Sequence, residues 1–266
     1  MIRMIALDVD GTLLTSQGTV SGETLRAVKM ARERGVRVVL ATGRSVPEAV
    51  WLTQLVGCDQ RAVCIGGAVV ADMADGRHLK RWDIRAETAR PVLELLRGRP
   101  LFCMVFAGEV NVLDRASDAF FQANYPYPAY LDHTVAVDDV PAWLHTQRLP
   151  LTKIHAEGDP EAFPALLEQL RQLPGLTLTS SGRDNFEVVA DGVDKGRALC
   201  LLGSDWGIKP EEIAAVGDSD NDLAMLRSVG CPVAMGNASA EVKAAARLVT
   251  ADNDRDGVAK AIYQLI

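Results

Sequence analysis

Short apolar runs that stop abruptly in polar residues and glycine alternate, at the opening of the chain, with stretches whose apolar positions recur about one helical turn apart. The run Met4-Ile5-Ala6-Leu7 ends in Asp8-Val9-Asp10-Gly11-Thr12 and predicts a buried strand feeding a tight turn. Ser21 is placed to cap a helix carrying Leu25, Val28 and Ala31 on one face, with Gly35 as its stop. Residues 36–40 predict a second strand ending in Ala41-Thr42-Gly43-Arg44, followed by a helix from near Pro47 to Gly57 and a third strand over 62–65. Strands alternating with helices imply right-handed crossovers and a parallel sheet.

From about Asp83 the texture changes. Alternating segments at 101–106 and 176–179 are separated by helical stretches such as 161–173, and a Pro- and Tyr-rich piece occupies 125–130. This predicts an α+β segment with a mostly antiparallel sheet. The strand–helix rhythm returns after Asp191, with a helix from Lys195, a strand over 213–216, a helix from Asp222 and a strand over 232–235. The expected fold is therefore α/β: a parallel-sheet core over 1–82 and 190–266, with an α+β insertion over 83–189. Two sequential domains are the alternative, and the return of the first texture argues against them.

Composition narrows the function classes. A chain of 266 residues can build one large domain or two moderate ones, each with its own core. With 48% hydrophobic and 24% charged residues, it has ordinary globular composition. A net charge of -7 and the lack of any Lys/Arg run argue against nucleic acid as a partner. Five cysteines without CxxC spacing predict free thiols in a reducing compartment, hence a cytoplasmic location. The N-terminus enters a strand with no signal-peptide pattern, and no apolar stretch reaches membrane-spanning length. No pattern in the sequence speaks to oligomeric state.

The candidate chemistry lies in two acidic clusters. Asp8 and Asp10 follow the first strand; Asp218 and Asp222, in Gly217-Asp218-Ser219-Asp220-Asn221-Asp222, follow Ile213-Ala214-Ala215-Val216. If both strands join one sheet, the clusters can meet in the crevice beyond the strand ends. At ~4 Å and an effective dielectric of ~20, each pair of like charges costs roughly 4 kcal/mol, so such a site needs protons or a cation. Carboxylates with phosphate and water suit Mg2+. Asp8 can attack phosphorus to give an aspartyl-phosphate. Asp10 can protonate the leaving oxygen and later deprotonate water. Backbone N–H groups around Gly11 and Thr12 can cradle phosphate oxygens, with an Asx-type turn as the alternative.

Thr42 can donate to a phosphate oxygen while Gly43 keeps the backbone accessible; a plain strand-to-helix turn is the alternative. Lys195, in Asp194-Lys195-Gly196, can answer developing phosphoryl charge or simply lie solvated at the surface. In the second cluster Asp218 is the candidate metal ligand, Asn221 can bond substrate or orient the nucleophile, and Asp222 can support the ligands from behind. The competing explanation is a helix N-cap run answering the dipole, and Asp220 does no more than that.

Taken in order, Asp8-x-Asp10-Gly11-Thr12, Ala41-Thr42-Gly43-Arg44, Asp194-Lys195-Gly196 and Gly217-Asp218-x-x-Asn221-Asp222 resemble the haloacid dehalogenase superfamily of phosphohydrolases. Ala234-Met235-Gly236-Asn237-Ala238 and Asp254-Arg255-Asp256-Gly257-Val258-Ala259 resemble its Cof-type subgroup. The resemblance implies a Rossmann-like core with an α/β cap inserted between the second and third motifs. It makes Asp8 the nucleophile and a Mg2+ ligand, and Asp10 the acid/base that also offers its backbone carbonyl to the metal. Thr42 and Lys195 then hold the phosphoryl group, Asp218 completes the protein ligands and Asn221 contacts phosphate. One departure stands out: Ile65-Gly66-Gly67-Ala68 occupies a place where the family often shows Asn-Gly-Ala. Gly66 removes a side-chain hydrogen bond that asparagine would offer.

The expected protein is a Mg2+-dependent phosphatase acting on small phosphate esters, sugar phosphates foremost. A phosphosugar mutase of similar architecture and a catalytically silent phosphometabolite-binding protein are the alternatives. The silent protein predicts a broken site, whereas Asp8, Asp10, Lys195 and Asp218 are all present. Neither GxGxxG nor GxxxxGK[ST] occurs, and the histidines lack metal spacing. Lys153 and His155 are expected at the surface of the insertion, with a substrate-facing position as the alternative. Phe120, Phe121, Tyr125, Tyr127 and Tyr130 are expected in its core, or else lining a ring pocket.

Overall fold

The first apolar run forms β1 (Met4–Leu7), whose side chains are all fully buried, as a parallel strand covered on both faces requires. The computed structural model describes residues 1–125 and 131–266. They divide into two compact units, one of Met1–Lys80 with Asp194–Ile266, the other of Arg81–Val193.

In the first unit Ser21 accepts from the Thr24 N–H at 3.1 Å and caps α1 (Gly22–Glu33), which leads to β2 (Arg37–Leu40). Ser45 and Glu48 close a capping box on α2 (Val46–Val56). The strand expected next, β3 (Arg61–Cys64), packs against β2 but forms no ladder with it: just past β2, Ala41 and Val63 make an isolated parallel bridge, where the Thr42 N–H donates to the Val63 carbonyl at 2.9 Å. It joins instead a three-stranded sheet with β4 (Val69–Asp72) and β5 (His78–Arg81), pairing antiparallel with β4. The reason is a reversal at Ile65 and Gly66, both at positive φ (53° and 66°). Glycine visits this region most readily, so Gly66 takes the reversal without a Cβ penalty.

The second unit runs α3 (Ala86–Leu96), β6 (Phe102–Ala107), β7 (Val110–Asp114), α4 (Asp118–Asn124), β8 (Thr134–Val137) and α5 (Val140–Gln147). It continues with β9 (Leu151–Glu157), α6 (Phe163–Arg171), β10 (Leu176–Thr179) and β11 (Asn185–Ala190). The sheet order is β10-β11-β9-β6-β7-β8, antiparallel except for the β7–β8 pair. Alternation sends Ile154, Ala156 and Val188 into one apolar core with Val92, Leu144 and Leu166 of the helices. Lys153, His155 and Glu187 occupy the other face. Lys153 is 2% exposed, contrary to the surface expectation, because Glu187 on β11 accepts its ammonium at 2.5 Å. His155 lies 3.8 Å from both Glu157 and Glu187. Phe121 is buried as expected, but Phe120 is exposed, and the Tyr125 hydroxyl donates to Glu157 at 2.8 Å. Tyr127 and Tyr130 lie outside the described residues.

The chain then re-enters the first unit through α7 (Lys195–Asp205), β12 (Ile213–Gly217), the short α8 (Leu223–Arg227), β13 (Cys231–Ala234), α9 (Ala240–Ala245), β14 (Leu248–Val249) and α10 (Gly257–Leu265). The parallel sheet has the order β14-β13-β12-β1-β2. From β1 the chain crosses to β2 on one side and returns as β12 on the other, so the sheet's switch point lies between β1 and β12. Among the described residues, no helix is long and apolar enough to cross a membrane, and all five cysteines are free.

Candidate active site

Pairing of β1 with β12 sets Leu7 beside Val216, so Asp8 and Asp218 emerge together at the strand ends of the switch point. The Asp8 N–H donates to the Val216 carbonyl at 3.0 Å, tying the two turns. Gly11 turns the chain at φ 74°, and the Thr12 hydroxyl donates to Asp218 Oδ1 at 2.6 Å. Lys195, at the first turn of α7, is 1% exposed. Its Nζ lies 2.6 Å from Asp8 Oδ1, 2.7 Å from Asp222 Oδ1 and 3.3 Å from Asn221 Oδ1. A solvated surface lysine is thereby excluded. Asp222 is fully buried, and its Oδ2 accepts from the N–H groups of Asp218 and Ser219 at 2.9 and 3.2 Å. That carboxylate holds the Asp218 turn and the Lys195 ammonium at once.

Proximity shows in the proton affinities. Burial pushes the Asp8 carboxyl well above the usual carboxylate range, and the Asp222 charge adds to it, while Lys195 pulls the other way. Asp218 is raised to about 6, chiefly by burial and despite the Thr12 hydrogen bond, with the Asp222 charge adding to the rise. Burial works against the Lys195 charge, but Asp222 and Asp8 outweigh it and hold the ammonium protonated.

Asp8, Asp218 and Asp222 each offer an oxygen within 4.8 Å of the others. One ammonium faces these three carboxylates, so the site is short of positive charge, and its donors are hard oxygens. That set fits Mg2+. Because both Asp222 oxygens already accept donors, Asp8 and Asp218 are the better candidate ligands of the three.

Asp10 stands apart from this cluster. Its carboxylate is 63% exposed and bidentate with Arg44, at 2.7 Å to Nη2 and 2.9 Å to Nε. Arg44 in turn donates from Nη1 to the buried Glu48 at 2.9 Å. Thr42 is fully buried one residue beyond the Ala41–Leu7 backbone bond, and its hydroxyl accepts from the Arg44 N–H at 3.1 Å, keeping its own proton to donate. Gly43 sits half-buried in the same turn. Asn221 accepts from Ser219 as well as facing Lys195.

Sequence reasoning assigned no role to Arg44, Glu48, Asn237 or Asn253. The Arg44–Glu48 spacing of four on a helix start was a signal available for that pair. Asn237 donates to the Gly11 carbonyl across 226 positions, at 2.8 Å; the motif over 234–238 marks the residue but not its partner.

Known proteins resemble this chain along nearly its whole length. The pattern of the haloacid dehalogenase-like hydrolases matches residues 5–262. The chain is 29% identical over 293 aligned positions to the phosphatase YwpJ of Bacillus subtilis, covering 100% of both chains. It is 30% identical to the 5-amino-6-(5-phospho-D-ribitylamino)uracil phosphatase YcsE of the same organism, covering 98% of this chain and 94% of the relative. A solved haloacid dehalogenase-like hydrolase from B. subtilis superposes with a TM-score of 0.88 at 30% identity, over 100% of both chains.

Proposed function

This chain belongs to the Cof-type haloacid dehalogenase-like hydrolases and is a phosphatase, and from that premise we propose that it hydrolyses small phosphorylated metabolites, sugar phosphates foremost, with Mg2+ and through an aspartyl-phosphate on Asp8. The observation that supports the reading best is Asp8 and Asp218 side by side at the switch point, with the Lys195 ammonium 2.6 Å from Asp8. YcsE, whose substrate name contains a phosphorylated ribityl chain, supports the sugar-like substrate class.

The side chains of Asp8 and Asp218 and the Asp10 carbonyl would hold Mg2+, which would neutralise negative charge in the site. The remaining work belongs to the chain. Asp8 attacks phosphorus, the bond to the leaving oxygen breaks, and Asp10 gives that oxygen its proton. Asp10 then takes a proton from water, which attacks the same phosphorus and frees Asp8 and inorganic phosphate. Lys195 favours the ionised form of Asp8 against the pull of burial and, with Thr42, Asn221 and the Gly11–Thr12 backbone, answers phosphoryl charge; Gly43 leaves room for it. Asp222 anchors Lys195 and the Asp218 turn. The segment 83–189 serves as a cap that selects the leaving group, and 1–82 with 190–266 as the catalytic core. Free thiols suit a reducing cytoplasm.

The test is a phosphate-release screen over sugar, nucleotide, flavin and pyridoxal phosphates, with Mg2+ and with chelator. Mg2+-dependent release, lost in Asp8→Asn, is expected. Isomerised sugar phosphate without release would make the protein a mutase, and binding without turnover a silent receptor.

A further inference from the structure

The turn that bears Asp8 is held from outside by the C-terminal part of the chain, through contacts the reaction above does not use. Asn237, in the loop after β13, donates its amide to the Gly11 carbonyl at 2.8 Å. Its own side-chain oxygen accepts from the Asn253 N–H at 3.2 Å, and the Asn253 amide donates to the Leu14 carbonyl at 2.9 Å. Asp254 accepts from the Ser16 N–H at 2.8 Å. The two supporting loops are themselves locked together: Gly236 N–H donates to Ala251 at 3.0 Å, so closely that a Cβ at Gly236 would fall 2.6 Å from the Asp252 nitrogen.

We infer that Asn237 is a positioning residue for the phosphate cradle, fixing the peptide plane between Gly11 and Thr12, with Asn253 and Asp254 bracing it; the inference rests on the phosphatase reading above. In a trans peptide the carbonyl of one residue and the N–H of the next point opposite ways, so holding the Gly11 oxygen outward aims the Thr12 N–H the other way. Gly11 has no Cβ to resist rotation, and its backbone adopts either sign of φ about equally well. A cradle hinged on glycine therefore needs an external hold, and Asn237 supplies it. Asn237 is also exposed, so its side chain contributes little packing, and removing it leaves no core cavity.

The test compares Asn237→Ala and Asn237→Asp with the parent chain and Asp8→Asn. The measurements are p-nitrophenyl phosphate hydrolysis with Mg2+, inhibition by inorganic phosphate, and the thermal midpoint. Asn237→Ala should raise KM and the phosphate inhibition constant together, lowering kcat/KM roughly tenfold, the size of one lost hydrogen bond. Asn237→Asp keeps the acceptor for Asn253 but sets a carboxylate oxygen against the Gly11 carbonyl, so it should be worse than alanine. The thermal midpoint should hold in both. Unchanged kinetic constants in both variants, or a fallen midpoint with unchanged constants, would overturn the inference while leaving the phosphatase reading intact. A parent chain that releases no more phosphate than Asp8→Asn would bring down both.

Discussion

Replacing Gly11 by alanine should disable the site through Asp218. A Cβ built at Gly11 would lie 2.3 Å from Asp218 Oδ2, 2.8 Å from its Cγ and 2.9 Å from Oδ1. Restoring an ordinary contact of about 3.5 Å requires a shift of about 1 Å. That shift breaks the 2.6 Å hydrogen bond from Thr12 and moves a proposed Mg2+ ligand. Misplacement of about 1 Å can cost on the order of a hundredfold in rate, and that is the fall expected in kcat/KM. A rise in the Mg2+ concentration for half-maximal activity should accompany it. Alanine at φ 74° also adds roughly 1–2 kcal/mol of backbone strain, which by itself says nothing about the site. Gly35→Ala separates the two effects: Gly35 has φ 79° but nothing within 4 Å of its built Cβ. It should show comparable strain with near-native turnover. The assay is phosphate release across a Mg2+ titration, with thermal unfolding run in parallel. Near-native turnover and an unshifted Mg2+ dependence in Gly11→Ala would refute the placement of Asp218 as a ligand.

Lys195→Met leaves Asp8 and Asp222 buried without their ammonium, and losing one partner of a buried ion pair costs about 3–5 kcal/mol. Phosphate release should fall at least about a hundredfold, as for loss of a charge-stabilising donor, and thermal unfolding should show the destabilisation. Arg44→Ala frees the Asp10 carboxylate and should lower kcat more than it alters phosphate inhibition; Arg44→Lys should rescue little, since one ammonium cannot replace a bidentate fork. In the second unit burial raises the Glu187 carboxyl, but Lys153 and His155 outweigh it and bring it to about 2, below its ordinary 4.5. Because the folded value is the lower one, the stabilisation is complete above pH 4.5, amounts to about 3 kcal/mol, and is lost as pH falls from 4.5 toward 2. Glu187→Gln should flatten that part of the acid-unfolding curve followed by circular dichroism; a curve parallel to the parent's would contradict the pairing.

The features readable from sequence are those whose physics is local. β1 and β12 were legible because strands buried on both faces are unbroken apolar runs, and α1 because Ser21 and Gly35 mark its ends. The candidate site was legible because its residues sit where those runs stop, so two acidic clusters on adjacent strands had to converge. β5 was missed because its sequence, His-Leu-Lys-Arg, lies partly exposed and has little apolar alternation to betray it. Lys153 was misplaced at the surface because its burial depends on the β9–β11 register, which puts Glu187 within reach. The same limit hid Arg44 from Asp10 and Asn237 from Gly11: polar pairs between distant loops leave no periodic trace.

The central claim is that Asp8 becomes phosphorylated during turnover. Its most direct test is to acid-quench the enzyme during steady turnover with Mg2+, reduce any acyl phosphate with borohydride, and map the modified side chain by peptide mass. The account predicts reduction of the position-8 carboxyl to an alcohol, dependent on substrate and absent in Asp8→Asn. Sustained phosphate release with position 8 never modified, or with the label on another residue, would contradict it.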